Sequence, residues 1–274
     1  MVSRNALEHR RDIDSIVNPL QIARLRKETV NSSRFAKLAA AAFVCCAAAG
    51  IPSLRANADP PSSVQPNQLT EAERNTGWKL LFDGKTTQGW RSFKKQTFPA
   101  QGWAVEDGWL KKVANVRGGD IISTDTFSEF ELQWEWKLAP KGNSGVKYFI
   151  TEERASAVGH EYQMLDDVGK PTNKGSTGSF YDVLPPKTKA PLKPAGEINH
   201  SRVLVLGNHV EHWLNGEKVL EYELGSAEVM AGVAKSKFKD VKGFGTRIKG
   251  HILLTDHRDE GWIRNIKLRE LPAK

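Results

Sequence analysis

The run Phe130-Glu131-Leu132-Gln133-Trp134-Glu135-Trp136-Lys137-Leu138 constrains the fold more than any other stretch of the chain. Apolar and polar residues alternate along its whole length. A period of two belongs to a strand, whose successive side chains point to opposite faces. Phe130, Leu132, Trp134, Trp136 and Leu138 form a face too apolar to leave in water. Glu131, Gln133, Glu135 and Lys137 form a face too charged to bury unpaired. Such a strand requires a second layer over its apolar side.

The sequence from Gly77 onward repeats this texture in shorter pieces. Strands are expected at Trp78–Phe82, Trp103–Val105, Trp109–Val113, Val146–Thr151, Phe180–Leu184, Arg202–Leu206, Val210–Leu214, Lys218–Leu224, Ile252–Thr255 and Trp262–Leu268. Asn215-Gly216 between two apolar runs is a strong hairpin signal, because a tight primed turn needs residues that tolerate positive φ. Only Thr70–Arg74 suggests a helical turn. Many short strands with almost no helical period predict an all-β fold, a sandwich or jelly roll of two antiparallel sheets. Pro185–Gly196 is rich in proline and lysine and cannot pair inside a sheet, so it reads as a surface loop.

The first quarter is different. Residues 1–58 hold no tryptophan, and nine Lys/Arg face four acids there, five of the eight net positive charges of the chain. The basic balance therefore says little about the β-rich part, and no Lys/Arg stripe with interleaved aromatics points to nucleic acid. Arg34 and Lys37 precede a short apolar run, Leu38–Ile51, and Ala56-Asn57-Ala58 follows it. That order is a signal peptide with a long n-region, and the run is too short for a comfortable membrane span. Both cysteines, Cys45 and Cys46, lie inside it, so no disulfide chemistry is left for the remainder. The expected division is a signal peptide over 1–58, a flexible leader over 59–76 and a jelly-roll catalytic domain over 77–274. Export to the periplasm or outside the cell follows, with no integral membrane span after signal removal.

Polar groups stand where a plain sandwich does not require them. In Gly159–Asp167, His160, Tyr162 and Met164 share one face, and Glu161, Gln163 and Leu165 share the other. A carboxylate and an amide on one strand face, followed by Asp166-Asp167, suggest a strand that lines a cleft, since buried polar groups need partners. Asn143-Ser144-Gly145 precedes Lys147. Tyr181 follows Thr177-Gly178. Trp213 follows Glu211-His212, and Asp256–Glu260 with His257 precedes Arg264. Each has a plainer alternative. Asn143-Ser144-Gly145 reads equally as a turn, and Asp166-Asp167 as a strand end. His212 shares a face with Val210 and Leu214 and reads more readily as a core histidine. Arg264 reads equally as half of a surface ion pair, and Trp213 and Trp262 more readily as core than as sugar platforms. There is no Glu-x-Asp-x-Glu strand, no Gly-x-Ser-x-Gly elbow, no His-Glu-x-x-His and no Gly-rich phosphate loop, which argues against ordinary retaining glycosidase, serine hydrolase and nucleotide chemistry.

Taken together these motifs resemble the bacterial 3-keto-disaccharide hydrolase family. The residues that carry the resemblance are Leu81-Phe82-Asp83-Gly84, Gly89-Trp90, Trp103–Gly108, Asn143–Phe149, Gly159–Asp167, Gly196–His200, Glu211–Gly216, Ser236-Lys237-Phe238, and Gly250–Leu254 through Asp256-His257 to Arg264–Lys267. The chain departs from the family pattern at Thr255, where Gln is usual, at Arg258, where Gly is usual, at Ile198, and at Lys170-Pro171-Thr172. The resemblance implies a concanavalin A-like jelly roll acting on a small oxidised sugar, a glycoside carrying a ketone at C3, with a divalent metal. It implies Glu161 or His257 as general base, and Lys147, Arg264 or the metal as holder of the enolate oxygen. Tyr181 would assist the leaving group, and Glu161 and His257 are the candidate metal ligands. Asn143, Gln163, Asp167 and Trp213 are the expected substrate contacts. A non-catalytic carbohydrate-binding module on the same face is the alternative.

Overall fold

The computed structural model describes residues 65–189 and 191–272. The signal-peptide segment, Cys45 and Cys46, and the first part of the leader lie outside the described residues. Two helices and thirteen strands follow in the order α1 (Glu71–Asn75), β1 (Trp78–Leu80), β2 (Trp90–Ser92), β3 (Trp103–Glu106), β4 (Trp109–Lys112), β5 (Ile121–Phe127), β6 (Phe130–Leu138), β7 (Asn143–Ile150), β8 (His160–Leu165), β9 (Asn199–Leu206), β10 (His209–Leu214), β11 (Glu217–Glu223), α2 (Ala227–Ala234), β12 (Gly250–Leu254) and β13 (Gly261–Glu270).

All strand pairs are antiparallel. An eight-stranded sheet has the order β11-β10-β9-β6-β13-β4-β3, with β1 on β13, and a five-stranded sheet has the order β2-β5-β12-β7-β8. The fold is the expected concanavalin A-like jelly roll. The alternating strand β6 lies at the centre of the large sheet. Its Phe130, Leu132, Trp134, Trp136 and Leu138 enter the core, where they meet Val146, Tyr148, Tyr162 and Met164 of the small sheet. Burial of side chains of this size contributes about 1.5–3 kcal/mol each, so this row is a substantial part of the attachment of the two layers.

Polar groups also cross the core, and several of them are bonded to one another. The Tyr222 and Tyr148 hydroxyls are hydrogen-bonded at 2.5 Å, and Tyr148 reaches His212 Nε2 at 3.0 Å. His212 Nδ1 is 3.0 Å from the Gly178 carbonyl, which can only accept, so Nδ1 carries the proton and Nε2 accepts from Tyr148. Burial pushes the His212 pKa down to about 4, so the ring is neutral, the core histidine that its alternation allowed. The same bond fixes Gly178, and through it the segment beside β8.

Several sequence expectations change. Asn143-Ser144-Gly145 is not a turn but the start of β7, in register with Leu165, Met164 and Gln163 of β8. Phe180–Leu184 is not a full strand. Phe180 alone bridges to Tyr162 and Leu184, and the chain turns at Asp182, with φ +62. The strand β5 was hidden because Ser123, Thr124 and Asp125 interrupt its apolar pattern, and its partner β12 bulges between His251 and Leu253. Part of the expected leader is packed. Asn67 and Asn265 exchange two hydrogen bonds of 2.8 Å, and Thr70 and Glu73 form a capping box on α1.

Candidate active site

The inward face of the small sheet is filled by Val146, Tyr148, Tyr162 and Met164, so Lys147 on β7 and Glu161 on β8 point outward. They are direct cross-strand partners. Lys147 Nζ stands 3.8 Å from Glu161 Oε2. Glu161 is only 5 % exposed, and its side chain lies across β7 at Gly145. A Cβ at Gly145 would sit 2.3 Å from Glu161 Oε1, so a glycine is the condition for this placement. Burial pushes the Glu161 carboxyl above its usual range, and Asp120 adds to this, while Lys147 and Lys237 pull the other way. A buried carboxyl with a raised pKa beside an ammonium is the pattern expected of a proton-transfer group.

The segment after Gly178 brings a second strand-like edge to Glu161. The amide of Tyr181 donates to the Glu161 carbonyl at 3.0 Å, which puts the Tyr181 ring on the Glu161 side of the sheet. Lys237 lies over that ring at 4.4 Å and donates its own amide to Asp182 at 2.8 Å. Gln163 shares the outward face of β8, and its Nε2 donates to Asn143 Oδ1 at 3.2 Å. The Asn143 amide in turn donates to Asp259 at 3.0 Å, which ties β7 to the loop of His257.

That loop is pinned rather than loose. Asp256 accepts from the amides of Gly118, Gly119 and Arg258 at 2.8, 2.6 and 2.9 Å and pairs with Lys112 at 3.1 Å. The Asp256 amide donates to Asp120 Oδ1 at 2.8 Å. His257 is thereby presented to solvent at the mouth of a depression of 570 Å³, whose walls include Phe93, Lys95, Arg117, Asp120 and Ala157. Partial burial and the charge of Lys147 hold the His257 pKa below its usual value, against Asp120, Asp259 and Asp256. Thr255, two residues before His257, donates its amide to the Gly145 carbonyl at 3.1 Å, and Glu161 lies across Gly145, so the His257 loop adjoins the strand pair that carries Glu161. Phe93 and Ala157 also rest on an apolar patch of Ile122, Ile150 and Leu253 on the same outer face.

Six of the nine expected residues meet here: Asn143, Lys147, Glu161, Gln163, Tyr181 and His257. Three do not. Arg264 projects from the outer face of the large sheet, where its Nε donates to Glu135 at 2.7 Å and its guanidinium covers Trp109 at 4.2 Å. Trp213 is on that same outer face, bonded to Glu211 at 2.8 Å and covered by Arg202 at 4.8 Å. Both were misplaced because alternation shows that a side chain points outward but not from which sheet. Asp167 closes a loop: its carboxylate accepts from the amide and hydroxyl of Thr177 at 3.1 and 2.8 Å. It lines a separate depression with Lys170, Pro186 and Leu192. Asp120 and Lys237 were missed, since both are in loops without a period. Lys237 had stood in Ser236-Lys237-Phe238, the one signal for it.

Glu161 and His257 make a poor cage for a divalent ion. The Lys147 ammonium stands 3.8 Å from the carboxylate, and a cation placed beside it would be repelled. Among the described residues the group of three donors close enough to share an ion is His209, Glu211 and Glu221. It lies on the outer face of the large sheet, and Lys218 already bridges Glu211 and Glu221. No helix among the described residues is long and apolar enough to cross a membrane.

The family model of the 3-keto-alpha-glucoside-1,2-lyase-like domain matches residues 77–269. A 3-keto-disaccharide hydrolase of Bacteroides thetaiotaomicron is 34 % identical over 231 residues, 71 % of this chain and 79 % of that protein. A solved structure from Parabacteroides distasonis, named as a candidate glycosyl hydrolase, superimposes with a TM-score of 0.68 at 32 % identity. The match covers 76 % of this chain and all of that one. A second such structure from the same species gives 0.58 at 27 % identity, covering 71 % of this chain and 99 % of that one.

Proposed function

The chain belongs to the 3-keto-alpha-glucoside-1,2-lyase-like family, and from that premise we propose that it cleaves the glycosidic bond of sugars oxidised to a ketone at C3. The observation that carries the reading is the buried Glu161 carboxylate, raised in pKa, with Lys147 at 3.8 Å on an outer sheet face.

A ketone at C3 acidifies the proton on C2. Glu161 takes that proton, and the electron pair of the C2–H bond becomes the enolate across C2, C3 and the C3 oxygen. The negative charge then leaves the carboxylate for the enolate, and one ammonium, Lys147, answers it before and after the transfer. Lys237 supplies a second positive charge on the same side. The enolate re-forms the C3 ketone, a C1–C2 double bond forms, and the bond from C1 to the glycosidic oxygen breaks. Tyr181 gives that oxygen its proton. The products so far are an enone and a free alcohol. Hydrolysis needs one further step. His257, kept neutral by partial burial and by Lys147, takes a proton from water as the oxygen adds to C1, Glu161 returns its proton to C2, and the proton on His257 passes through solvent to the Tyr181 oxygen, which restores both groups.

No step runs through a metal, because the Lys147 ammonium stands beside the carboxylate that a cation would need. The expected outcome is turnover unchanged within about twofold after treatment with EDTA. A loss of tenfold restored by manganese or calcium would return the metal-assisted form of the reaction.

The test of the reading itself uses a 3-keto-glucoside and follows alcohol release and enone absorbance. Wild type releases alcohol, Glu161→Gln does not, and His257→Ala accumulates the enone. Unchanged release by Glu161→Gln would remove the assignment. Export is part of the proposal and rests on the segment order at Arg34–Ala58. Cell fractionation checks it, and protein confined to the cytoplasm would refute it.

A further inference from the structure

The depression beside His257 carries more positive charge than the cleavage reaction uses. Its walls hold Lys95, Arg117 and Arg258 besides His257. All three are exposed, and among the described residues no carboxylate pairs with any of them. The acids of the same wall do not answer them. Asp256 is spent on Lys112 and on three backbone amides, and Asp120 accepts the amide of Asp256. Some surface cations elsewhere on the molecule are paired, as Arg91 is with Glu152 at 2.8 Å and Lys111 with Glu106 at 3.1 Å. Arg258 also holds a left-handed backbone, φ +67, which disfavours a long side chain. An arginine kept in a conformation suited to glycine points to work done by its side chain. One wall is apolar: Phe93, with Ala157 packed on the patch of Ile122, Ile150 and Leu253.

We propose that this depression is the subsite for the leaving group, and that it selects a leaving group bearing an oxyanion on an apolar ring, a carboxylate or a sulfate. Phe93 carries the ring, and Arg117, Arg258 and Lys95 hold the anion by charge-assisted hydrogen bonds, the guanidinium forks matching either oxyanion. This deepens the cleavage reading and rests on it for the term leaving group, whereas anion binding by the depression does not.

The experiment compares kcat/KM for 3-keto-glucosides of three phenols: 4-hydroxybenzoate, its uncharged isostere 4-hydroxybenzamide, and 4-hydroxybenzenesulfonate. The carboxylate is expected to exceed the amide by about tenfold or more at low salt, with the margin shrinking as salt rises. The sulfonate arm tells which oxyanion is preferred. In Arg258→Gly and Arg117→Ala the margin falls to about twofold. Equal values for carboxylate and amide in wild type overturn the proposal, as does a margin unmoved in both variants. Free 4-hydroxybenzoate and 4-hydroxybenzamide are titrated in parallel by calorimetry. If no glucoside is cleaved but the benzoate alone binds and Arg258→Gly abolishes it, the cleavage reading fails and the anion subsite stands. If neither free acid nor amide binds and no preference is seen in turnover, the subsite fails.

Discussion

On the outer face of the eight-stranded sheet, carboxylates are closed by ion pairs and hydrogen bonds. Glu135 holds Arg264 at 2.7 Å and Asn265 at 2.8 Å, and Glu131 holds Arg269 at 2.8 Å and Arg202 at 2.6 Å. On the outer face of the five-stranded sheet, Glu161 meets Lys147 only at 3.8 Å. The same residue types are present on both faces. What differs is whether the charges have finished with one another. Burial works against Glu135, but Arg264 and Asn265 outweigh it and hold its carboxyl below the usual range. Burial prevails at Glu161 and lifts it. A closed ladder stabilises a sheet face; an unclosed group in a dry place keeps its proton chemistry available for a ligand.

The largest test of this contrast is a matched pair. Glu161→Gln is expected to lower kcat by about 1,000-fold or more, as loss of a proton-transfer group does. Glu135→Gln is expected to leave turnover within about twofold of wild type, because its partners serve the sheet. Near-equal losses in the two variants would erase the distinction between the faces.

Gly145→Ala comes next. The new Cβ meets Glu161 Oε1 at 2.3 Å, and that atom is the far end of a flexible side chain. The carboxylate moves before the strand does. A fall in kcat of about 10- to 100-fold is expected with the fold retained, since small misplacements of a reacting group are costly. Unchanged kcat with a large drop in melting temperature would mean that Gly145 serves only β7 packing.

Arg264→Ala sharpens the comparison from the other side. Its loss removes the bond to Glu135 and the cover over Trp109. A cost of about 1–2 kcal/mol in stability is expected, with turnover within about twofold. A tenfold loss of kcat at unchanged stability would bring Arg264 back into the reaction.

The sequence carried the sandwich well because alternation is a local signal, and β6 states its two faces residue by residue. It carried half of the site for a related reason. Glu161 and Gln163 sit on a strand whose other face, His160, Tyr162 and Met164, is plainly core, so their outward position was legible. Which outward surface a strand belongs to is a property of topology. Arg264 and Trp213 alternate as cleanly as Glu161 does, yet strand order puts β10 and β13 in the other sheet. Asp120 and Lys237 come from turns, where no period exists to mark a face. Asp167 followed the right strand, but its carboxylate bonds to Thr177 ten residues on, a loop closure that no spacing rule announces.

The smallest expected effect separates the faces by sign. Glu161 has a folded-state pKa above its unfolded value. Its contribution to stability is therefore present in full below the unfolded pKa and is lost as pH rises through the folded one. Glu135 has a folded pKa below its unfolded value, so its contribution is present above the unfolded pKa and is lost as pH falls through the folded one. At a pH above each folded-state pKa, the ionised Glu161 is a burden on the fold and the ionised Glu135 a support. Glu161→Gln should raise the melting temperature at pH 7 by roughly 2–4 °C, and Glu135→Gln should lower it by a similar amount, about what 1 kcal/mol produces in a domain of this size. Both differences should shrink as pH is taken down, first at Glu161, whose pKa is raised, and later at Glu135, whose pKa is lowered. Thermal scans of the three proteins from pH 4 to pH 8 read this directly. Shifts of the same sign at pH 7 would show that Lys147 closes Glu161 as fully as Arg264 closes Glu135, and the contrast on which the site rests would be gone.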